Sequence, residues 1–309
     1  MINVGLGETR VAVVENGRPV DFVLERTNEE DVKAKTGRAG HSLLGNIFLG
    51  RVQRVLPGMQ AAFVDIGLDR AGFLGVREAR CLCYLPSYDA ENLPPINTCV
   101  HEGQSILVQV VKDPIGEKGA RLSANVTIPG RLLVLVPNQS GIALSRRIED
   151  EEQRARLIGL VEGIAHKLQA CGVTGEPAGF IVRTAALAAT EAEIIEDAKR
   201  IAQDWADVRA AEKKSAPPAV VFHDLDPVSR TLRDYASLET GRVLIDDAEA
   251  YGEARRYCER AMPEMLDRLE LFNGPGSLFE LYGIEEEIEK ALEPRVELPS
   301  GGWITIETT

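Results

Sequence analysis

The stretch GNIFLGRVQRVLPGMQAAFVDIGLDRAGFLGVRE, Gly45 to Glu78, decides the fold. Asn46 to Leu56 reads as a strand, and Pro57-Gly58 turns the chain, since proline presets φ and glycine tolerates the return. Gln60 to Gly67 is a second expected strand, Leu68-Asp69-Arg70 a short turn, and Ala71 to Val76 a third strand. Outward from this stretch comes a long loop containing Pro86, Pro94 and Pro95. Gln104 to Val111 and Ala120 to Val126 are two further strands, separated by the polar loop Ile115 to Gly119. Five short strands with one long excursion predict a small Greek-key barrel of the OB type.

On the N-terminal side, Ile2 to Glu25 alternates apolar and polar around Glu15-Asn16-Gly17-Arg18-Pro19, a strong hairpin signal. A polar connector runs from Arg26 to Gly40. On the C-terminal side, from Arg131, the rhythm becomes mixed α/β. Leu132 to Val136 and Phe180 to Val182 are short buried-strand candidates. Glu149 to Gln169 is an amphipathic helix ending near Gly172, and a second helix runs from Thr190 toward Lys214, where the spacing of Thr190 and Glu193 matches a capping box. Pro217-Pro218 breaks the chain and is a plausible domain junction. Beyond it follow a strand at Ala219 to Phe222, a helix opened by Asp226-Pro227, a strand at Arg242 to Ile245 and a helix at Ala248 to Met262. A helix at Ile284 to Leu292 and a strand at Trp303 to Glu307 close the reading.

The formal net charge of −13 excludes nucleic-acid binding through a bulk positive field, so basic residues have to be read by position. No apolar run approaches the length needed to cross a bilayer, and the N-terminus lacks the pattern of an export signal. Five scattered cysteines fit a reducing cytoplasm better than a disulfide framework.

Phe63 and Phe73 fall at matching positions of adjacent expected strands. Displayed on an OB sheet they stack unpaired bases, at about 1–3 kcal/mol per base; turned inward they are core residues. Arg51, Arg54, Arg70 and Lys118 supply charge suited to a phosphate backbone. A second constellation joins Ser145-Arg146-Arg147-Ile148 to Gly179-Phe180-Ile181-Val182-Arg183-Thr184. An arginine at a strand end followed by a hydroxyl residue can hold a phosphate by its fork plus one further donor, though such a pair also suits a solvated surface. Glu285, Glu286, Glu287 and Glu289 could be metal ligands but read rather as the solvated face of a helix near its N-terminus, where acidic residues suit the dipole. Asp246-Asp247, at a strand end, reads as structural. Cys81, Cys83, Cys99 and His101 form a C-x-C…C-x-H set whose first spacing is short for a structural zinc site. His41, His166 and His223 show no evident partner.

The barrel text, together with VQVVKDPIGEKGARL at Val108 to Leu122, resembles the S1 RNA-binding module of the RNase E/G endoribonuclease family, and the resemblance covers nearly all of the chain. It implies that Phe63, Phe73 and Lys118 grip RNA. It also implies that Gly130, Val134, Arg146, Arg183 and Thr184 form a 5′-sensor pocket for a terminal monophosphate. A pocket closed by one arginine fork and a hydroxyl rejects the extra charge and bulk of a triphosphate. The implied fold class is α/β (α+β multidomain). An RNase H-like subdomain is expected in two parts, 1–42 and 218–270, with an S1 (OB-fold) barrel at 43–126 and a 5′-sensor subdomain at 127–217 inserted between them. The start of a DNase I-like domain is expected at 271–309. The family hydrolyses single-stranded RNA with magnesium held by aspartates. Its Glu-Ala-Leu-Thr and Ile-Asp-Val-Asn segments and its zinc-link cysteines have no match in this sequence. The expectation is therefore an RNA-binding, 5′-monophosphate-sensing chain that holds no metal and has no catalytic residue of its own. Magnesium and homo-oligomerisation are expected of a longer form. The alternative is a non-catalytic RNA-binding protein or scaffold.

Overall fold

The computed structural model describes residues 1–26, 42–83, 93–170, 178–237, 239–298 and 300–307. The connector expected at Arg26 to Gly40, His41, the helix end near Gly172 and the turn residue Pro299 lie wholly or mainly outside the described residues. The chain forms two compact units, one built from Met1–Thr27 and Asp226–Thr309, the other from Asn28–Leu225.

In the first unit β1 (Ile2–Val4), β2 (Glu8–Glu15) and β3 (Arg18–Arg26) run antiparallel. Asn16 and Gly17 take φ of 51° and 78°, the left-handed pair that a two-residue hairpin needs to match the strand twist. Val243–Ile245 lies parallel to β1, and Leu269–Leu271 lies parallel to Val243–Ile245. The sheet order is thus Leu269–Leu271, Val243–Ile245, β1, β2, β3. The connecting helices begin on aspartates that satisfy otherwise orphaned N–H groups. Asp226 accepts from Ser229 N at 2.9 Å ahead of Pro227–Tyr235, and Asp247 accepts from Ala250 N at 2.8 Å ahead of Ala248–Ala261. Leu278, Phe279 and Ile284 pack on Ala12 and Leu244 to cover one sheet face.

The second unit opens with the barrel. Strands β4 (Ile47–Leu56), β5 (Ala61–Asp65), β6 (Gly72–Gly75), β7 (Ser105–Lys112) and β8 (Arg121–Ser123) follow the order β4-β5-β6-β8-β7, and β7 pairs back onto β4. The sheet is closed, which leaves no open edge among its five strands. Phe48, Val52, Val64, Leu74, Ile106, Val108 and Leu122 fill its interior.

The cysteines depart from the expectation of a chain without disulfides. Cys83 and Cys99 form a disulfide across a sequence separation of 16 residues. Both pack on the barrel core, Cys99 from the one-turn helix Ile96–Cys99, with their Cα atoms 4.6 Å apart. The count and scatter of cysteines carry no information about that adjacency. The bond also takes two thiols out of the C-x-C…C-x-H set, and the remaining Cys81 thiol is pushed up to about 11 by burial. A thiol in that state is a poor metal ligand at neutral pH.

Next comes a four-stranded sheet of β9 (Ile128–Pro129), β10 (Leu133–Val136), β11 (Ile142–Leu144) and β12 (Gly179–Val182), in the order β11-β12-β10-β9. Helices α1 (Glu151–Ala170) and α2 (Glu191–Lys214) belong to the same layer pair. Leu133, Leu135, Phe180 and Val182 share one core with Leu157, Val161, Ile194, Ile201 and Trp205, each large apolar side chain contributing about 1.5–3 kcal/mol by burial. The capping box is present: Thr190 accepts from Glu193 N, and the Glu193 carboxylate accepts from Thr190 N at 2.7 Å. The last strand of the unit is β13 (Ala219–Phe222). It pairs with Ile47–Leu49 of β4, so the residues expected to begin the second part of the RNase H-like subdomain are hydrogen-bonded to the barrel, and the units divide at Leu225 and Asp226. The junction expected at Pro217-Pro218 falls before that pairing.

Among the described residues no helix is long and apolar enough to cross a membrane.

Candidate nucleic-acid interface

Strand register builds the first half of the site. Phe63 on β5 lies opposite Phe73 on β6, Arg54 on β4 lies opposite Phe63, and Arg121 on β8 lies beside Phe73. Lys112 on β7 is the register partner of Arg121. Directly opposed residues project from the same face, so five strands present one outer row: Arg54, Phe63, Phe73, Arg121, Lys112. Two irregularities shape it. The pairing shifts between Val52 and Arg54 and again between Val110 and Lys112, and such bulges re-aim the residues beyond them.

Neither phenylalanine belongs to the barrel core. Both are half-buried, with ring centroids 6.0 Å apart and planes at 77°, an edge-to-face pair. They line an open groove of about 580 Å³ together with Arg70, Ala71, Glu117, Lys118, Gly119 and Arg121. Lys118 is carried there by a tight loop in which Ile115 N donates to Lys118 O at 3.1 Å and Lys118 N donates to Ile115 O at 3.0 Å. Gly119 makes the placement possible, because a Cβ there would lie 2.1 Å from the carbonyl oxygen of Ala71. The groove thus offers aromatic faces flanked by exposed cations, a combination suited to a planar base joined to an anionic backbone.

The second half sits at one edge of the four-stranded sheet. β11 and β12 are parallel and end together, while β10 starts and β9 finishes at that same edge. The topology therefore gathers Gly130, Arg131, Ser145, Arg146, Arg183 and Thr184. Arg183 is tied to the edge twice: its N–H donates to Leu132 O and its Nη1 to Gly130 O, both at 2.9 Å. Thr184 Oγ1 donates to Ser145 Oγ at 3.0 Å, which sets two hydroxyls side by side. Arg146 is exposed in the turn after β11. Val134 lies opposite Ile181, and both stand on the face away from the helices, where Ala143 continues the row. All five residues named from the sequence thus fall within two residues of the strand ends that meet at this edge. A local concentration of guanidinium groups there coexists with the acidic whole.

Four of the acidic candidates make structural contacts. Glu285 holds Arg10 through two contacts of 2.7 and 3.1 Å, and Glu287 pairs with Lys290. Asp246 accepts from Asn3 Nδ2 at 2.6 Å and from Val4 N at 2.9 Å, and Asp247 caps a helix. Among the described residues no three His, Cys, Asp or Glu side chains cluster closely enough to hold a metal ion.

Two features went unnoticed in the sequence. Arg121 and Lys112 complete the outer row, and a strand-register argument from Phe73 would have reached Arg121. Asp197 on α2 lies beneath the arginine-bearing edge, and no local signal marks it.

The model of the Ribonuclease E/G family matches residues 127–309, which include the sheet edge just described. The chain belongs to the ribonuclease E/G family. It is 39% identical over its whole length to Ribonuclease G of Haemophilus influenzae and 38% identical to Ribonuclease G of Escherichia coli, spanning 60% of each. It is 34% identical to Ribonuclease E of Haemophilus influenzae, with 98% of the chain matched to 30% of that protein. The chain therefore spans 60% or less of the length of these relatives.

Proposed function

We propose that this chain is the RNA-binding, 5′-end-sensing part of a single-strand-specific endoribonuclease of RNA processing and decay. The observation that carries the reading is the outer row Arg54, Phe63, Phe73, Arg121 with Lys118 beside it, on the same compact unit as the guanidinium-rich sheet edge. The barrel acts as an S1-type module: the phenylalanine faces take unstacked bases and the cations follow the phosphates. Duplexed bases cannot reach such faces, which accounts for a single-strand preference.

The sheet edge acts as the 5′-sensor. Arg183 and Arg146 supply charge-assisted donors, and Thr184 supplies a hydroxyl at the rim. A terminal monophosphate fits one fork and one hydroxyl; a triphosphate brings charge that the edge has too few donors to match. The first unit serves as the RNase H-like support, a reading favoured by its three antiparallel strands followed by two parallel ones on the far side of β1. Residues 271–309 are taken as the start of a DNase I-like domain. Magnesium-dependent hydrolysis and oligomerisation are assigned to the longer enzyme, not to the residues described.

Fluorescence anisotropy tests the reading with one short single-stranded RNA carrying a 5′-monophosphate, a 5′-hydroxyl or a 5′-triphosphate at fixed salt. The monophosphate should bind most tightly. Equal binding of all three ends leaves a general RNA binder, and no binding removes the proposal.

A further inference from the structure

Helix α2 buries one carboxylate. Asp197 is 3% exposed, and aspartate is both a poor helix-interior residue and almost never buried unless paired. Its partners explain its survival there. Oδ1 accepts from Arg131 N at 3.1 Å, and Oδ2 accepts from Leu132 N at 2.8 Å and from Leu133 N at 2.9 Å. The Arg200 guanidinium, with its side chain 32% exposed, pairs with the carboxylate from the solvent side. Three consecutive backbone N–H groups converge on one anion, and a fourth, cationic donor balances its charge.

Those three N–H groups belong to the segment that holds Arg183. Leu132 O accepts from Arg183 N, and Gly130 O accepts from Arg183 Nη1. Gly130 is packed so closely on the carboxylate that a Cβ there would lie 2.5 Å from Asp197 Oδ2. A single buried carboxylate thus sets the path of the backbone that aims the arginine fork, without itself facing the surface. We propose that Asp197 is a positioning residue for 5′-end recognition: by gathering the Arg131–Leu133 N–H groups it holds Gly130 and Leu132 where their carbonyls orient Arg183. The inference rests on the 5′-sensor reading. Because Arg200 neutralises the carboxylate, the device orients the fork without repelling an incoming phosphate.

The test compares wild type, Arg183→Ala and Asp197→Asn by anisotropy with 5′-monophosphate and 5′-hydroxyl forms of one RNA, with circular dichroism as the control for folding. Asn keeps the shape but turns an amide N–H₂ toward N–H donors. Asp197→Asn should reduce the monophosphate preference by about fivefold or more, with hydroxyl-ended RNA bound as by wild type. A general loss of structure would instead weaken both RNAs together. If Arg183→Ala abolishes the preference while folded Asp197→Asn keeps it, the positioning role is wrong and the sensor stands. If wild type shows no preference, the sensor reading and this inference fall together. Should Asp197→Asn not fold, Arg200→Ala decides: exposing the carboxylate's charge should cut the preference by about threefold, and an unchanged preference overturns the inference.

Discussion

Phe63 and Phe73 face each other across β5 and β6 at 6.0 Å, edge to face, outside the barrel core that their neighbours Val64 and Leu74 fill. Alternation along a strand makes this separation: residue 63 points out because 64 points in, and 73 because 74 does. Replacing either phenylalanine by alanine should therefore spare folding and weaken single-stranded RNA binding by about 1–3 kcal/mol, roughly five- to 150-fold in Kd. Urea denaturation should place both variants close to wild type, while anisotropy shows the loss. A large drop in stability with intact RNA binding would return the pair to the core.

Gly119 is expected to be irreplaceable even by alanine. The added methyl would meet the Ala71 carbonyl oxygen at 2.1 Å, and that carbonyl belongs to the turn leading into β6. Relief requires the Lys118 loop to swing away from the phenylalanines. Gly119→Ala should cost about 1–3 kcal/mol of stability and reduce RNA affinity at least as much as Lys118→Ala. Urea unfolding and anisotropy on the same samples check both halves.

The Cys83–Cys99 bond closes a loop of 16 residues. Under oxidising conditions, Cys83→Ser should lower unfolding free energy by about 3 kcal/mol, the chain-entropy value for a loop of this length. Under a strong reductant wild type should move toward the variant. Thiol titration of the denatured chain, before and after reduction, should differ by two groups. Cys81 should react slowly in the native state, since burial pushes its thiol up to about 11.

At the start of α2, Thr190→Ala should destabilise the protein by about 1 kcal/mol through the lost cap. The Glu193 carboxyl is held below its ordinary range, first by the Thr190 backbone N–H and then by the Thr190 hydroxyl. A depressed folded-state value means the contribution is complete above the unfolded glutamate range and is lost as pH falls through the folded value. Glu193→Gln should accordingly be destabilising at neutral pH and indistinguishable from wild type in sufficient acid. Thermal unfolding across that range reads the sign.

Local signals carried most of the fold. Asn16-Gly17, Pro57-Gly58 and the Thr190–Glu193 spacing each state a backbone geometry that neighbouring residues suffice to impose, and each is realised. What escaped is long-range. Ile142–Leu144 is three residues, too short to show a period, and is a strand only because β12 lies beside it. Ala219–Phe222 reads as a strand, but nothing in it names Ile47–Leu49 as its partner across the chain. Asp197 resembles any acidic residue on a charged helix until the Arg131–Leu133 N–H groups are seen above it. Arg183 and Thr184 stand out only through family likeness, since an arginine followed by a threonine carries little meaning without the sheet edge that collects its neighbours.

On the proposed function, one RNA strand is read at two separate places, by stacking on the barrel and by phosphate recognition at the sheet edge. The most direct test of this is anisotropy binding of 5′-monophosphate and 5′-hydroxyl RNA to wild type, Phe73→Ala, Arg183→Ala and the double variant. Phe73→Ala should weaken both RNAs by the same factor, and Arg183→Ala should lower only the monophosphate form, to the level of the hydroxyl form. A result in which Arg183→Ala weakens both RNAs equally, or Phe73→Ala weakens neither, contradicts the account.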